Sequence, residues 1–321
     1  MEQGISIIIP FLNEEENAVR FCNALDQFRQ QTHYPIELVF VDDGSTDQTV
    51  DRLSNYQFKH IDQYKIISLS KNFGSHAAIR AGIMNGSYDF CTWMGIDMQE
   101  PLEFLDIGWQ KLSGGYNSVF IEKEEIQIGV LERLFSKIYS WLMIRFAVPQ
   151  YGNGGISTIC FDRKVKSYLN ENVEINSSLQ LQIINAGFRT ITIPLRFYAR
   201  NAGKSKWTLS KKIKLFIDSF VAFSFMPIRL VSIIGIIMFL LGVIYGMVII
   251  VSRLMHPFDA VLGYATIASL LAIGFGITNI SLGIIAEYLW RTYDAASRRP
   301  AFIIADIKEF ETNEKAGIDD T

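Results

Sequence analysis

Two long runs without a charged side chain limit what this chain can become. Between Arg229 and Arg253 lie 23 uncharged residues, Leu230 to Ser252, and between Asp259 and Glu287 lie another 27. At ~1.5 Å per helical residue, each run is long enough to cross a hydrocarbon core of ~30 Å. Two buried helices of a soluble domain would need far more chain around them. Composition agrees, since 49% hydrophobic residues and a mean hydropathy of +0.19 exceed what an ordinary soluble enzyme carries. The connecting segment, Arg253 to Asp259, is short and holds Pro257, so the two helices form a hairpin whose ends share one side. Gly242 and Gly246 make a GxxxG pair, a pattern that admits close helix approach.

Orientation follows from the basic residues beside the spans. Residues 200 to 229 hold Arg200, Lys204, Lys206, Lys211, Lys212, Lys214 and Arg229 against one acid, Asp218, and Arg291, Arg298 and Arg299 follow the second span. The connecting loop offers Arg253 alone. Both termini and the soluble part are therefore expected on the cytoplasmic side of the inner (plasma) membrane. The N-terminus starts acidic and breaks at Pro10 after a five-residue apolar strand, unlike a secretory signal. Cys22, Cys91 and Cys160 are too widely spaced for a metal set and read as reduced, structural thiols. Just before the first span, Leu209, Ile213, Phe216, Ile217 and Phe220 recur at helical spacing with lysines between them. That pattern predicts a helix lying in the membrane interface, ended by Pro227. A net charge of −3 leaves no general basic field, so nucleic acid is not an expected partner.

Residues 1 to 200 alternate short apolar strands with longer segments. The strands are expected at Ile5 to Ile9, Glu37 to Val41, Lys65 to Leu69, Phe90 to Met94, Val119 to Ile121 and Thr158 to Phe161. Such alternation predicts an α/β domain with a mostly parallel sheet, whose ligands bind beyond the carboxyl ends of the strands. The residues there are polar. Asp42-Asp43-Gly44-Ser45 supplies carboxylates for ribose hydroxyls or a base N–H, although a turn with a helix cap at Ser45 or Thr46 asks for the same residues. Lys71 and Asn72 follow the third strand, the lysine offering a cation to a phosphate, while His76 reads as a surface histidine at a helix start. Asp97 and Gln99, two apart in an extended segment, point to one side as hard oxygen ligands for Mg²⁺ or Mn²⁺.

The ordered series IPFLNEEEN, VDDGSTDQT, LSKNFGSHAAIRAG, GIDMQEP, RNAGKSKWTLSKK and GIIAEYLWRTYDAASRRP resembles the membrane-anchored family 2 glycosyltransferases. Within them it is most similar to the dolichol-phosphate mannose synthase-like and bactoprenol (undecaprenyl-phosphate) glucosyltransferase branch. The resemblance implies a GT-A (Rossmann-like) domain over 1–200, an acceptor loop and amphipathic helix over 201–228, two spans at 230–252 and 260–286 within 229–290, and a cytoplasmic tail over 291–321. The end of that tail, Ala305 to Thr321, is acidic without apolar periodicity and is expected to be solvated and partly disordered. The resemblance also places a nucleotide on Pro10, Asn13, Glu14, Asp42 and Asp43, with Ser45, Lys71 and Asn72 beside them. Asp97 and Gln99 become the metal ligands and catalytic residues, although Gly95 stands where the family usually has its first aspartate. Arg200, Lys204 and Lys206 would grip the acceptor phosphate together with Ser205 and Arg133. Glu122 to Ile126 and Gly152 to Arg163 depart from the family, except that Asp162 and Arg163 match its Asp-Arg pair.

The reaction implied is inverting transfer from a UDP- or GDP-linked sugar to a polyprenyl phosphate, supplying lipid-linked sugar for cell-surface glycans. A homo-oligomer, a flippase and a second glycosyltransferase are the further partners such a chain admits. The rival from another class is a catalytically weakened nucleotide-sugar-binding scaffold, motivated by Gly95 and by residues 122 to 126. A processive synthase would need more than two spans, and a transporter would need intramembrane charge.

Overall fold

The computed structural model describes residues 3–123, 141, 144–145, 156–173, 178–197, 226–255, 264–297 and 300–311. In chain order the elements of the first unit are β1 (Ile5–Phe11), α1 (Glu15–Gln31), β2 (Ile36–Asp42), α2 (Thr49–Ser54), β3 (Gln63–Leu69), α3 (Ser75–Asn85), β4 (Phe90–Trp93), α4 (Glu103–Ser113), β5 (Ser118–Lys123), β6 (Ile156–Phe161), α5 (Arg163–Glu171), α6 (Leu179–Asn185), β7 (Thr190–Leu195) and β8 (Ile304–Glu311). The second unit holds two helices, α7 (Met226–Met255) and α8 (Tyr264–Ser297).

One eight-stranded sheet runs in the order β7-β5-β6-β4-β1-β2-β3-β8. Four of its seven pairings are parallel, β1 with β2 and β4, β2 with β3, and β5 with β7. β2 is buried at every residue and β1 at all but Pro10, as expected where both faces of a parallel sheet are covered. Phe21, Leu25, Phe40 and Phe104 fill the core, and the three cysteines are free and buried, their thiols pushed up to about 12 by burial. α3 crosses so close to the sheet that a Cβ built at Gly82 would collide with the Ile8 side chain. Gly82→Ala should therefore destabilise the domain by about 1–3 kcal/mol of overpacking strain. A chemical-denaturation midpoint equal to wild type would refute that packing.

The six expected strands are present, five of them two or three residues longer than expected and β4 one residue shorter. β1 does not break at Pro10 but continues to Phe11, because β4 pairs with it only as far as Ile8 and Trp93. Beyond that point Pro10 has one neighbour, and its missing N–H is tolerated. Two strands were not anticipated. β7 lies at one edge, where Pro194 fits, and has half-buried alternation rather than an apolar run. β8 overturns the expectation of a solvated tail from Ala305 and a tail domain from 291: α8 continues to Ser297, and residues 304–311 pair antiparallel with β3. Its side chains are mostly exposed, so no hydrophobic period marks it. The main-chain ladder and the stacking of Phe310 on Tyr64, with centroids 4.5 Å apart, hold it in place.

In the second unit, α7 and α8 contact each other, and their apolar side chains, among them Ile236, Leu240, Phe275 and Leu282, are exposed. The windows long and apolar enough to cross a membrane are Arg229–Val248 and Ile273–Asp294. α8 runs through Glu287 without a break to Ser297. Pro227 sits in the first turn of α7, where it costs no helical hydrogen bond. A Cβ at Gly242 or Gly246 would meet nothing within 4 Å among the described residues. The interfacial helix expected over 209–220 and the turn at Pro257 lie outside the described residues.

Candidate functional site

The carboxyl ends of β1, β2 and β3 open into three loops that backbone and side-chain bonds knit together. Asn13 ends the first turn with φ +51°, a left-handed conformation that Asn tolerates better than most residues. Its N–H donates to Ser45 Oγ at 2.9 Å and its Oδ1 accepts from the Thr46 N–H at 2.8 Å. Glu14 is drawn to the same loop, its N–H donating to Thr49 Oγ1 at 2.9 Å. Asp42 accepts from the Ser45 N–H at 2.8 Å. Asp43 spans to the third loop, its carboxylate accepting from the N–H groups of Phe73 at 2.7 Å and Gly74 at 2.9 Å. Gly44, at φ +84°, passes so close to Lys71 and Asn72 that a Cβ there would lie 3.0 Å from the Asn72 nitrogen.

These contacts divide the expected nucleotide residues by task. Asp42 and Asp43 are each about 5% exposed. Burial raises the Asp43 carboxyl, the two loop N–H groups oppose that, and neighbouring Asp42 adds to the rise. Its bonds make Asp43 a brace for the 71–74 loop as much as an acceptor for a ligand. Ser45 does not cap a helix, since α2 begins at Thr49 with Gln48 as its cap residue. Its hydroxyl instead holds Asn13. Pro10 is half-buried in β1, while Lys71 and Asn72 are exposed at the rim, with Lys71 Nζ 5.1 Å from the centre of the Phe73 ring. Asp47 escaped the sequence reading although it joins two of the loops, accepting from Glu15 N–H at 3.2 Å and from Thr49 Oγ1 at 2.6 Å. Its signal was the short Asp-x-Thr spacing, which favours a local side-chain turn.

Next to these loops, β4 leads into a turn rather than the extended segment expected. The Met98 N–H donates to the Gly95 carbonyl at 3.2 Å, and Met98 takes φ +55°. The turn, not strand alternation, brings Asp97 and Gln99 together, with Gln99 Nε2 donating to Asp97 Oδ2 at 2.6 Å. A carboxylate and an amide oxygen are hard donors of the kind Mg²⁺ and Mn²⁺ take. They fit such an ion only as a partial set, since no group of three or more His, Cys, Asp or Glu side chains able to hold a metal occurs among the described residues.

His76 is half-buried rather than a surface residue. Burial and then the nearby Arg80 guanidinium lower its imidazole below the usual value, and Nδ1 is buried without a hydrogen-bond partner among the described residues. Arg80 ties α3 to α5 and α6, donating to the Leu169 carbonyl at 3.0 Å and Gln182 Oε1 at 2.7 Å. Asp162 caps α5, accepting from the Val165 N–H at 3.0 Å. An open cleft of about 560 Å³ beside Asp89, Arg163, Lys164 and Glu171 lies at the start of β4, the opposite end of the sheet from the loops above. Arg133, Arg200, Lys204, Ser205 and Lys206, the residues expected at the acceptor phosphate, lie outside the described residues.

A mostly parallel sheet whose carboxyl edge carries interlocked acidic turns makes an α/β domain, followed along the chain by two apolar helices. The family described as Glycosyl transferase family 2 matches residues 6–164. CsbB of Bacillus subtilis (strain 168), which carries the name of a glycosyltransferase, is 30% identical over 308 residues, covering 95% of this chain and 93% of its own. The undecaprenyl-phosphate 4-deoxy-4-formamido-L-arabinose transferase of Klebsiella pneumoniae (strain 342) is 25% identical over 94% of this chain and 92% of its own. Among solved structures, the mannosyltransferase PcManGT from Pyrobaculum calidifontis, in complex with GDP-Man and Mn²⁺, aligns with a TM-score of 0.41 at 17% identity, over 60% of this chain and 55% of that one. The chain belongs to glycosyl transferase family 2 and is a glycosyltransferase with a GT-A-like domain.

Proposed function

We propose that this glycosyltransferase moves a sugar, with inversion, from a uridine- or guanosine-diphosphate sugar to a polyprenyl phosphate at the cytoplasmic face of the membrane. The observation that carries this reading is the match to the Klebsiella undecaprenyl-phosphate transferase, which runs over 94% of this chain and so takes in the apolar hairpin as well as the sheet domain. In this reading the hairpin anchors the enzyme where its lipid acceptor resides, with both ends inside the cell.

The interlocked turns at Asn13, Glu14, Asp42 and Ser45 hold the nucleoside, and Lys71 and Asn72 at the rim meet its phosphates. A phosphate oxygen of the lipid attacks the anomeric carbon from the face opposite the diphosphate. The carbon–oxygen bond to the diphosphate breaks, and its electron pair leaves on the nucleoside diphosphate. No strong base is required, because a monoester phosphate with a second pKa near ~6 is already largely anionic. Asp97 and Gln99 would hold a Mg²⁺ or Mn²⁺, which would supply Lewis-acid stabilisation of the departing charge. Arg200, Lys204 and Lys206, with Ser205 and Arg133, neutralise and orient the acceptor phosphate, and proximity contributes much of the rate.

The direct test is transfer of radiolabel from a panel of nucleotide sugars to undecaprenyl phosphate in membranes containing the protein, with Mg²⁺, Mn²⁺ or EDTA. A metal-dependent product extractable into organic solvent supports the reading and names the sugar. No product across the panel, from protein that is folded and binds nucleotide, refutes it. In the same assay, Lys204→Ala should raise the KM for the lipid at least tenfold with little change in the KM for the donor. Unchanged acceptor dependence would remove the loop from the site.

A further inference from the structure

The two neighbours of β3 do not accompany it equally far. Its pairing with β2 ends at Asp42 and Ser68, whereas its pairing with β8 continues to Leu69, opposite Ile304. One residue further, the Ser70 N–H donates to the Ile303 carbonyl at 2.9 Å. Lys71 and Asn72 follow at once, exposed at the rim. The register shifts at the same place: Ser68 faces Asp306 and Leu69 faces Ile304, so Ala305 is an extra residue in β8. A bulge of this kind bends its strand and re-aims what lies beyond it. At its other end the 70–74 loop hangs on Asp43, which accepts from the Phe73 and Gly74 N–H groups. The loop is therefore held at both ends, by the carboxyl end of β2 and by residues that come after both apolar helices in the chain.

We infer that residues 303–306 position the donor: the Ala305 bulge and the Ile303 carbonyl fix the end of β3 so that Lys71 and Asn72 stand ready for the phosphates of a nucleoside diphosphate. The inference rests on the donor reading proposed above and adds to it a positioning element from the far end of the chain. Ile303 acts through Ser70 and not by touching the ligand. A loop already fixed in its binding conformation loses less freedom when the ligand arrives, so the contribution of β8 is read as donor affinity. The other end of β8 has a separate task. There Phe310 stacks on Tyr64, and that contact secures the strand without reaching the loop.

The test is calorimetric titration of UDP and of GDP, with Mg²⁺ present, into the full-length protein in detergent. Deleting Ala305 leaves the pairs from Asp306 to Glu311 in place and moves Ile303 and Ile304 out of register. It should raise the Kd of the nucleotide that wild type binds at least fivefold. In the transfer assay the donor KM should rise with it, while kcat and the lipid KM change less than twofold. Phe310→Ala should lower the melting temperature and leave the nucleotide Kd within twofold of wild type. Equal weakening by the deletion and by Phe310→Ala would reduce the effect to general stability and overturn the inference. Lys71→Ala should weaken nucleotide at least tenfold, and in that background the Ala305 deletion should cost a smaller factor than in wild type, because both act on the same phosphates. Should the deletion fail to fold, Ser70→Pro removes the N–H donor instead; Leu69, being in a strand, already has the conformation required before a proline. Weak binding by Lys71→Ala with normal binding by the deletion, or by Ser70→Pro in its place, overturns the inference and leaves the donor reading intact. Normal binding by Lys71→Ala, or no binding of either nucleotide by wild type, overturns both.

Discussion

Asp97→Asn should cut sugar transfer at least a hundredfold while the protein stays folded and monodisperse. The substitution is nearly isosteric and removes the charge alone. Asp97 lies in a loop, half-buried, and its amide replacement can still accept the Gln99 bond. The loss is therefore expected in catalysis, as about 2.7 kcal/mol of barrier for each hundredfold. It should appear in kcat, since the carboxylate serves charge that develops as the diphosphate leaves. Near-normal turnover in Mg²⁺ or Mn²⁺ would sink the role given to this residue. A loss matched by a lower melting temperature would reassign it to structure.

Glu37→Ala should produce the largest stability loss in the sheet domain, about 3–5 kcal/mol, the cost typical of breaking a buried ion pair. Glu37 is fully buried at the start of β2, far along the strand from the site. It accepts from Ser6 Oγ at 2.5 Å, from the Ser87 N–H at 2.6 Å and hydroxyl at 2.8 Å, and it pairs with Lys65 Nζ at 3.0 Å, whose side chain is 12% exposed. Truncation strands these donors. Burial alone would raise the Glu37 carboxyl, but the hydrogen bonds from Ser6 and Ser87 and the Lys65 ammonium outweigh it and hold the group below its ordinary value of 4.5. A depressed carboxyl means that the unfolded chain binds the proton more readily, so its stabilisation is present above pH 4.5 and fades as pH falls through the folded-state value. Glu37→Gln keeps the shape and loses this charge-dependent part. Its deficit against wild type in denaturant melts should be largest at pH 7 and should shrink as pH drops below 4.5. A deficit independent of pH would show that the charge does not contribute.

The two residues mark the division of labour along the same strands. The amino ends of β1 and β2 carry a sealed polar network at Ser6 and Glu37, while their carboxyl ends release Asn13, Asp42 and Asp43 into the loops. That polarity was legible in advance, because a parallel sheet exposes the residues after each strand. Less legible was the use of each side chain. Asp42 and Asp43 are adjacent and chemically identical, yet the first holds its own turn and the second braces the loop thirty residues on. A linear reading has no term for that choice. Asp97 and Gln99 show the same limit, since their meeting was expected from strand alternation and is produced by a turn with Met98 in the left-handed region.

Local chemistry by itself determined the apolar strand runs, the two membrane-length helices and the acidic turn motifs, because each is written in contiguous residues whose hydrophobicity or spacing acts at short range. Only the tertiary structure decided that residues 304–311, half of them charged and without strand alternation, form the last strand of the sheet. Their stability comes from main-chain bonds to β3, more than 230 residues earlier, and an edge strand needs no apolar face to make them. Position 95 is decided in the same way: the sequence records a missing aspartate, but only the fold shows that the space above this glycine is taken by the Asp97 carboxylate.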